Sequence, residues 1–539
     1  MAEKLRSKGR IVVVKYRSLF AVAVGFMWVM IWLWMLRFHQ LDDALIYLRY
    51  AEMLHRKGFL TFDGIHKTFG CSSLLYVGLL SWFQEICPYG LGAKVLSVVF
   101  YVVLLGTVSL NVFRARRLPR ALWVALGIVL ASPMGVRWLS DGMETSMAAV
   151  LAVLMGHICY RTAVAAAPSP GRYAALVSLG ALVVWARVEF VLLVAFSSIG
   201  IWLWRISEYP QPPCRQGWVR ALKGVVFRES HLALGGWVAL IAIYRWFGSF
   251  LPDTAVAKAT GFGGIGQLLP GLVNVGLAIS TSLSFGLGLV SLWMLSAWLA
   301  QRAAGDNHYR TWALAIVNLV LPAIALASAA RGQNLQGVRY FAWALIFMIV
   351  WNLQLISAAS ISSGDSTRGV EARKPMQSAA WLALMVMAGF TWWFEGSAVR
   401  RISQGRSATF LEMRAQPFGE LAGKRGVAYD IGFIAYFSRA DICDVNGLVG
   451  GRDFAATSEE RRIEVCSSSS PVFAFVTPGQ AQELADHTNL DSWIVCHDYW
   501  FPNFNPLIPK HYLLVKPESA QSLCPPPWRA YGKGGTVLK

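Results

Sequence analysis

Ser18–Leu36 is apolar throughout apart from Ser18, and the chain leaves it into Leu41-Asp42-Asp43-Ala44-Leu45-Ile46-Tyr47-Leu48-Arg49-Tyr50. At about 1.5 Å per residue, the first stretch is long enough to cross a bilayer as a helix. Carboxylates beside an apolar membrane surface are costly, which makes Asp42 and Asp43 a candidate functional pair. A solvated helix start would also place Asp there, because Asp favours a helix N-terminus. Position alone does not separate the two.

The composition of the whole chain decides its class. Of 539 residues, 55% are hydrophobic and 15% charged, with 23 Trp and a mean hydropathy of +0.47. That much apolar surface fits a polytopic membrane protein and not a soluble domain. The net charge of +19 is spread as short basic runs between apolar segments, which is how the positive-inside rule writes topology. No nucleic-acid partner is expected. Lys4, Arg6, Lys8, Arg10, Lys15 and Arg17 place the N-terminus in the cytoplasm. The apolar run exceeds a signal-peptide core and no small-residue cleavage site follows, so it reads as a retained helix.

Further spans are expected at 91–112, 121–139, 143–161, 173–187, 190–204, 231–247, 273–300, 311–330, 338–356 and 379–396, about eleven in all. Arg114, Arg116, Arg117 and Arg120 mark one inner loop, 205–228 another and 357–378 a third. The halves of 173–204 are short for full crossings, and a shielded helix pair would satisfy the backbone equally well. From 397 to 539 charge, Pro and Ser rise. Strand-like runs appear at Pro471–Val476, Trp493–Cys496 and Tyr512–Lys516. The expected architecture is therefore a polytopic α-helical membrane domain over 1–396 and a mixed α/β extracytoplasmic domain over 397–539. Cys443, Cys466, Cys496 and Cys524 lie in the second domain, Cys71 and Cys87 in the first outer loop. Even numbers there are compatible with disulfides, with the pairing undetermined.

If a helix starts near Leu41, Asp42, Ile46 and Arg49 share one face, and Asp43, Tyr47 and Tyr50 a neighbouring one. A carboxylate in a low-dielectric outer cavity can take a proton from an attacking hydroxyl, and a nearby guanidinium can meet a phosphate. A structural ion pair would look the same. Glu144 opens a span in Ser140-Asp141-Gly142-Met143-Glu144-Thr145. Arg187 and Glu189 interrupt an apolar stretch, where mutual neutralisation is the plainer reading. Lys258 ends an outer loop, and Arg339 with Tyr340 begins another span. On this topology all these groups face outward, which favours an outer-interface site with cations for an anionic lipid-linked group.

Absences narrow the class. The sequence has no Walker A motif, no Rossmann glycine fingerprint, no His-Glu-x-x-His and no Gly-x-Ser-x-Gly. Gly261-Phe262-Gly263-Gly264-Ile265-Gly266 lacks a preceding strand and reads as a loop.

Six blocks follow one another along the chain: Asp42–Ala51, Gly142–Thr145, Ala186–Glu189, Leu251–Lys258, Tyr429–Arg439 and Asp444–Leu448. Together they resemble the GT-C membrane glycosyltransferases, in particular those similar to mycobacterial terminal β-(1→2)-arabinofuranosyltransferases and type IV pilin arabinosyltransferases. The resemblance implies an inner-membrane enzyme of a bacterial envelope that works on the outer face. It implies a polyprenyl-phosphate sugar donor, D-arabinofuranose foremost, a glycan (arabinan) or pilin acceptor, and an inverting single displacement. Asp42 and Asp43 match the acidic pair, with Asp42 slightly favoured as base because Arg49 on its face would orient it. Arg187, Lys258 and Arg339 match groups for the donor phosphate; Glu144 and Glu189 would hold sugar hydroxyls or those cations. Arg49 and Tyr340 complete the expected donor site. No cofactor is required, and a divalent cation shared by Asp42 and Asp43 stays open.

The sequence departs from the family at Phe69-Gly70-Cys71-Ser72-Ser73-Leu74-Leu75-Tyr76, which lacks the usual Glu, Pro and Trp. Asp253 stands where Asn is common and Val188 where Pro is common. These changes bear on the acceptor more than on the fold. Aminoarabinose, mannose or another hexose remains an alternative sugar. A lipid or polysaccharide transporter and an inactive scaffold are the rival classes.

Overall fold

The computed structural model describes residues 23–83, 86–87, 90–115, 117–164, 169–208, 223–257, 268–280, 282–305, 307–330, 338–362, 374–415, 418–487, 492–500, 510–524, 529–532 and 536–537. The helical part begins with α1 (Ala23–Met35), α2 (Asp42–Lys57), α3 (Leu74–Phe83), α4 (Gly92–Arg114), α5 (Arg117–Leu130), α6 (Pro133–Leu139) and α7 (Thr145–Val164). It continues through α8 (Pro170–Ala186), α9 (Phe190–Ile206), α10 (Lys223–Glu229), α11 (His231–Phe247), α12 (Asp253–Ala257) and α13 (Leu268–Ser280). After α14 (Leu283–Ala304), α15 (His308–Asn318) and α16 (Val320–Ala330) come α17 (Ala342–Ser362) and the 42-residue α18 (Lys374–Ala415).

Among the described residues, four helices are long and apolar enough to cross a membrane: Gly92–Arg114, Thr145–Val164, Ser284–Ala304 and His308–Ala327. Two pairs qualify as single bent spans, Pro119–Leu130 with Pro133–Leu139 at 72° and Lys223–Glu229 with His231–Phe247 at 57°. The span expected at 121–139 is thus bent, for a local reason. Ser132 accepts the Gly135 amide as an N-cap, and Pro133 has no N–H to continue the preceding helix. The stretch expected at 273–300 is two helices, α13 and α14, and 173–204 is a pair that breaks at Arg187-Val188-Glu189.

Packing follows the sequence closely. Phe341–Trp351 is apolar on every side and nearly wholly buried, so α17 is the central helix, flanked by α7 and α14. This centrality sets Arg339 and Tyr340, just before α17, at the middle of one end of the bundle. Helices α8 and α11 approach backbone to backbone. A Cβ on Gly235 would lie 2.0 Å from the Val177 carbonyl oxygen, and one on Gly180 2.3 Å from that of Leu232. Small residues of this kind let membrane helices meet.

α18 runs through the boundary expected at 396 and leads to a seven-stranded sheet ordered β2-β1-β3-β5-β4-β6-β7. The strands are β1 (Arg425–Ala428), β2 (Asp441–Asp444), β3 (Phe473–Val476), β4 (Ile494–Trp500), β5 (Lys510–Val515), β6 (Arg529–Gly532) and β7 (Thr536–Val537). The pairs β2–β1 and β1–β3 are parallel and the others antiparallel. Each residue of β3 is buried, as a strand near the middle of the sheet should be. The connecting helices are α19 (Ile431–Ser438), α20 (Arg452–Ala455), α21 (Glu459–Ser468), α22 (Pro478–Ala485) and α23 (Pro517–Leu523). Disulfides join Cys443 to Cys466 and Cys496 to Cys524. Cys71 and Cys87 are free thiols, not a pair.

Candidate active site

α2 is built to start where it does. Asp42 and Asp43 occupy its first turn and His55, Arg56 and Lys57 its last, each complementing the helix dipole. Turning about 100° per residue, the helix sends the two aspartates in different directions. Asp43, Ile46 and Tyr47 face an open cleft whose empty space, counting its mouth, is about 860 Å³. Glu144, Arg187, Glu189, Arg339 and Tyr340 line the same cleft, with Ser72, Thr254 and Leu448. Six residues singled out in the sequence thus meet in one place, brought there by four separate parts of the chain.

Their contacts form three ion pairs, one on Arg339 and two on Arg187. Arg339 donates from Nη2 to Asp43 Oδ2 at 2.7 Å and to the Tyr340 hydroxyl at 3.1 Å. Arg187 Nη1 lies 3.0 Å from Glu144 Oε1, and its Nη2 3.5 Å from Glu189 Oε1. Both guanidiniums lie against the Tyr340 ring, at 5.0 Å for Arg339 and 5.6 Å for Arg187. Arg339 Nε and Nη1, Arg187 Nε and Glu144 Oε2 are buried without a hydrogen-bond partner. Charged groups are expensive to leave unsatisfied. The three guanidinium nitrogens are donors and suit a ligand that brings anionic oxygens, whereas Glu144 Oε2 can only accept.

The cleft walls are tied down locally. Asp253 Oδ2 accepts the Phe69 amide at 2.9 Å and returns its own amide to Phe69 O at 2.7 Å. This joins the two loops where the sequence departs from the family. Tyr47 shares a hydrogen bond of 2.6 Å with Ser72. Asp444 accepts the amides of Asn446, Leu448 and Val449, which fixes Leu448 at the cleft. Its burial, against the pull of those amides, pushes the carboxyl up to about 7.

Asp42 does not line the cleft. Its carboxylate accepts the amides of Gly432 at 2.9 Å and Phe433 at 2.7 Å, at the start of α19. Burial, then the charge of Asp430, push it up to about 8, against those two amides. Arg49 does not orient Asp42 either. It sits 3.4 Å from Glu52, which Arg56 and Arg439 also reach; a carboxylate one turn along the same face is nearer than one two turns back. Tyr50 turns from Asp43 to Thr68, at 2.9 Å. Lys258, like Gly261–Gly266, lies outside the described residues.

Ser72, Thr254 and Leu448 fall within the quoted blocks, but as small or apolar side chains they carry no chemical signature of their own. Tyr47 lines the cleft on the Asp43 face, where helical spacing puts it. Among the described residues no three His, Cys, Asp or Glu side chains gather where they could hold a metal ion.

No protein-family description and no curated protein matches this chain. Among solved structures, it is similar to ArnT from Cupriavidus metallidurans bound to undecaprenyl phosphate. The identity is 13% and the TM-score 0.48, covering 94% of this chain and 99% of that one. Similarity to the same protein in its apo state is 12% at a TM-score of 0.42, over 96% and 100%. Similarity to the Archaeoglobus fulgidus oligosaccharyltransferase in complex with zinc and sulfate is 13% at 0.45, over 94% and 74%. Likeness at this level assigns no activity to the chain.

Proposed function

We propose that the chain is a membrane glycosyltransferase of the GT-C type. It moves a sugar from a polyprenyl phosphate to a hydroxyl of a glycan or pilin at the outer face of a bacterial inner membrane. The observation that carries this reading is the Asp43–Arg339 pair. Nη2 of Arg339 holds the carboxylate, while its buried Nε and Nη1 have no hydrogen-bond partner beside the cleft.

A donor phosphate meeting those free positions would share Arg339 with Asp43. Arg187 supplies a second cation and Tyr340 separates the two. The acceptor hydroxyl oxygen bonds to the anomeric carbon as the carbon–oxygen bond to phosphate breaks. Asp43 takes the hydroxyl proton, and polyprenyl phosphate leaves as an anion held by Arg339 and Arg187. Fixed cations stabilise the charge that builds on the leaving oxygen. A phosphate leaving group needs little acid assistance. The base acts late, as the attacking hydroxyl grows acidic.

Asp43 is preferred to Asp42 on geometry, which comes before pKa for a base. Both Asp42 oxygens are engaged by backbone amides and neither faces the cleft. Glu144 and Glu189 hold Arg187 in place, and Glu189, the more exposed, is free to meet sugar hydroxyls. Beneath Tyr340, Phe341–Trp351 presents only apolar side chains over roughly 16 Å, so this stretch of α17 contributes no polar side chain beneath the site.

D-arabinofuranose is the sugar the sequence blocks favour, with aminoarabinose, mannose or another hexose as the alternatives. The test is transfer of radiolabelled sugar by purified protein from each polyprenyl-phosphate donor in turn, to arabinan-type oligosaccharides and to pilin. Transfer from one donor that disappears in Asp43→Asn supports the reading. Folded protein that neither binds nor uses any of these donors would sink it.

A further inference from the structure

We propose that Asp42 is a positioning residue: it fastens the first turn of α2 to the N-terminus of α19, so that the sheet-bearing C-terminal part sets how Asp43 meets Arg339. The proposal rests on Asp43 as the base, and Asp42 acts through that residue without touching substrate.

Three observations carry it. First, α19 does not cap itself. Its N-cap residue Asp430 makes no side-chain bond to the helix, because that carboxylate is held by His511 Nε2 of β5 at 2.7 Å. The open amides of Gly432 and Phe433 are capped instead by Asp42, 390 and 391 residues earlier in the chain. Capping from another segment satisfies the helix end and fixes the segment that supplies it.

Second, the approach is closer than any other residue at 432 would allow. A Cβ on Gly432 would sit 2.0 Å from the Asp42 carbonyl oxygen and 2.8 Å from its Cγ. The contact is therefore with the backbone of α2 as well as with a side chain. Third, Asp43 is the next residue. With a helical turn of 3.6 residues, holding Asp42 on one side fixes the azimuth of Asp43 on the other. A misplacement of about 1 Å at a reacting group costs about 100-fold in rate.

The experiment uses the full chain in lipid nanodiscs, with Asp42→Ala, Asp42→Asn and Asp43→Asn compared by two readouts. Hydrogen exchange followed by mass spectrometry reports the start of α19 and the first turn of α2. Transfer kinetics report kcat and the donor KM. In Asp42→Ala both segments should exchange about five- to tenfold faster, the scale of one lost cap. Its kcat should fall about 10- to 100-fold, with donor KM within about twofold. Asp42→Asn keeps an acceptor oxygen and should recover much of both, whereas Asp43→Asn should keep wild-type protection and lose turnover.

An Asp42→Asn protein with wild-type protection and no turnover would make Asp42 the base and overturn the proposal. So would Asp42→Ala with wild-type kcat. Should the wild type use no donor, the reading of Asp43 fails by itself. Exchange then still decides the fastening: faster in both segments of Asp42→Ala supports it, and unchanged exchange overturns it.

Discussion

Arg339 and Asp43, 296 residues apart, meet at 2.7 Å through one of the two terminal nitrogens of the guanidinium, and the other has no partner. The fork of Arg can serve two oxygen ligands in one plane, which the point charge of Lys cannot do. Arg339→Lys should therefore lower kcat/KM for the donor nearly as far as Arg339→Ala, by about 100- to 1,000-fold. Donor titrations with both variants check this. Near-wild-type turnover in Arg339→Lys would mean that charge alone suffices.

Asp43→Asn should lower kcat about 100- to 10,000-fold, the range for a lost general base. Donor binding should hold, since the phosphate contacts are elsewhere. Turnover measured beside donor titration checks this, and wild-type kcat in Asp43→Asn would assign the base to another group.

Glu144 and Arg187 are both nearly inaccessible, with side-chain exposures of 2% and 4%. Removing one partner of such a pair leaves a buried charge, at a cost of about 3–5 kcal/mol. Glu144→Ala should be markedly less stable than the double variant with Arg187→Met, as read from thermal melting. Equal melting temperatures would show that Glu189 alone compensates Arg187.

Stability should also depend on pH through Asp444. Its folded-state value, about 7, is above the unfolded 3.8. The folded protein therefore binds more protons between those values, and the contribution is full below about 4 and lost as pH rises through about 7. Melting temperature should fall from pH 5 to pH 8, and Asp444→Asn should flatten that slope. A parallel slope in the variant would assign the dependence to other groups.

The gathering of Asp43, Glu144, Arg187, Glu189, Arg339 and Tyr340 at one end of the bundle was legible, because each stands at the end of an apolar segment. The bend at Ser132-Pro133 was not read, and 121–139 was expected as one span, although a cap and a missing amide mark the break. The hydrogen bonds of Asp42 were not legible, because its partners lie some 390 positions away and no local pattern encodes them. Arg49 shows a different limit. Glu52, three residues on, competes with Asp42 for the same guanidinium, and helical spacing alone does not say which tertiary surroundings each will find. The loops joined by Asp253 and Phe69 are of the first kind again, a contact across 184 residues.

α18 is continuous for 42 residues, about 60 Å at helical rise, and touches both the bundle at α6 and α14 and the sheet-bearing part at α19 and β4. A stiff rod, not a loop, joins the helical part to the sheet-bearing part. Cutting the chain at 396 would saw through that rod and expose flanks that now pack on both sides. Because α18 packs on the bundle along one stretch and on the sheet-bearing part along another, each residue inserted or deleted between them would rotate one packed flank about 100° against the other, so the two parts are indexed to each other like gears on one shaft.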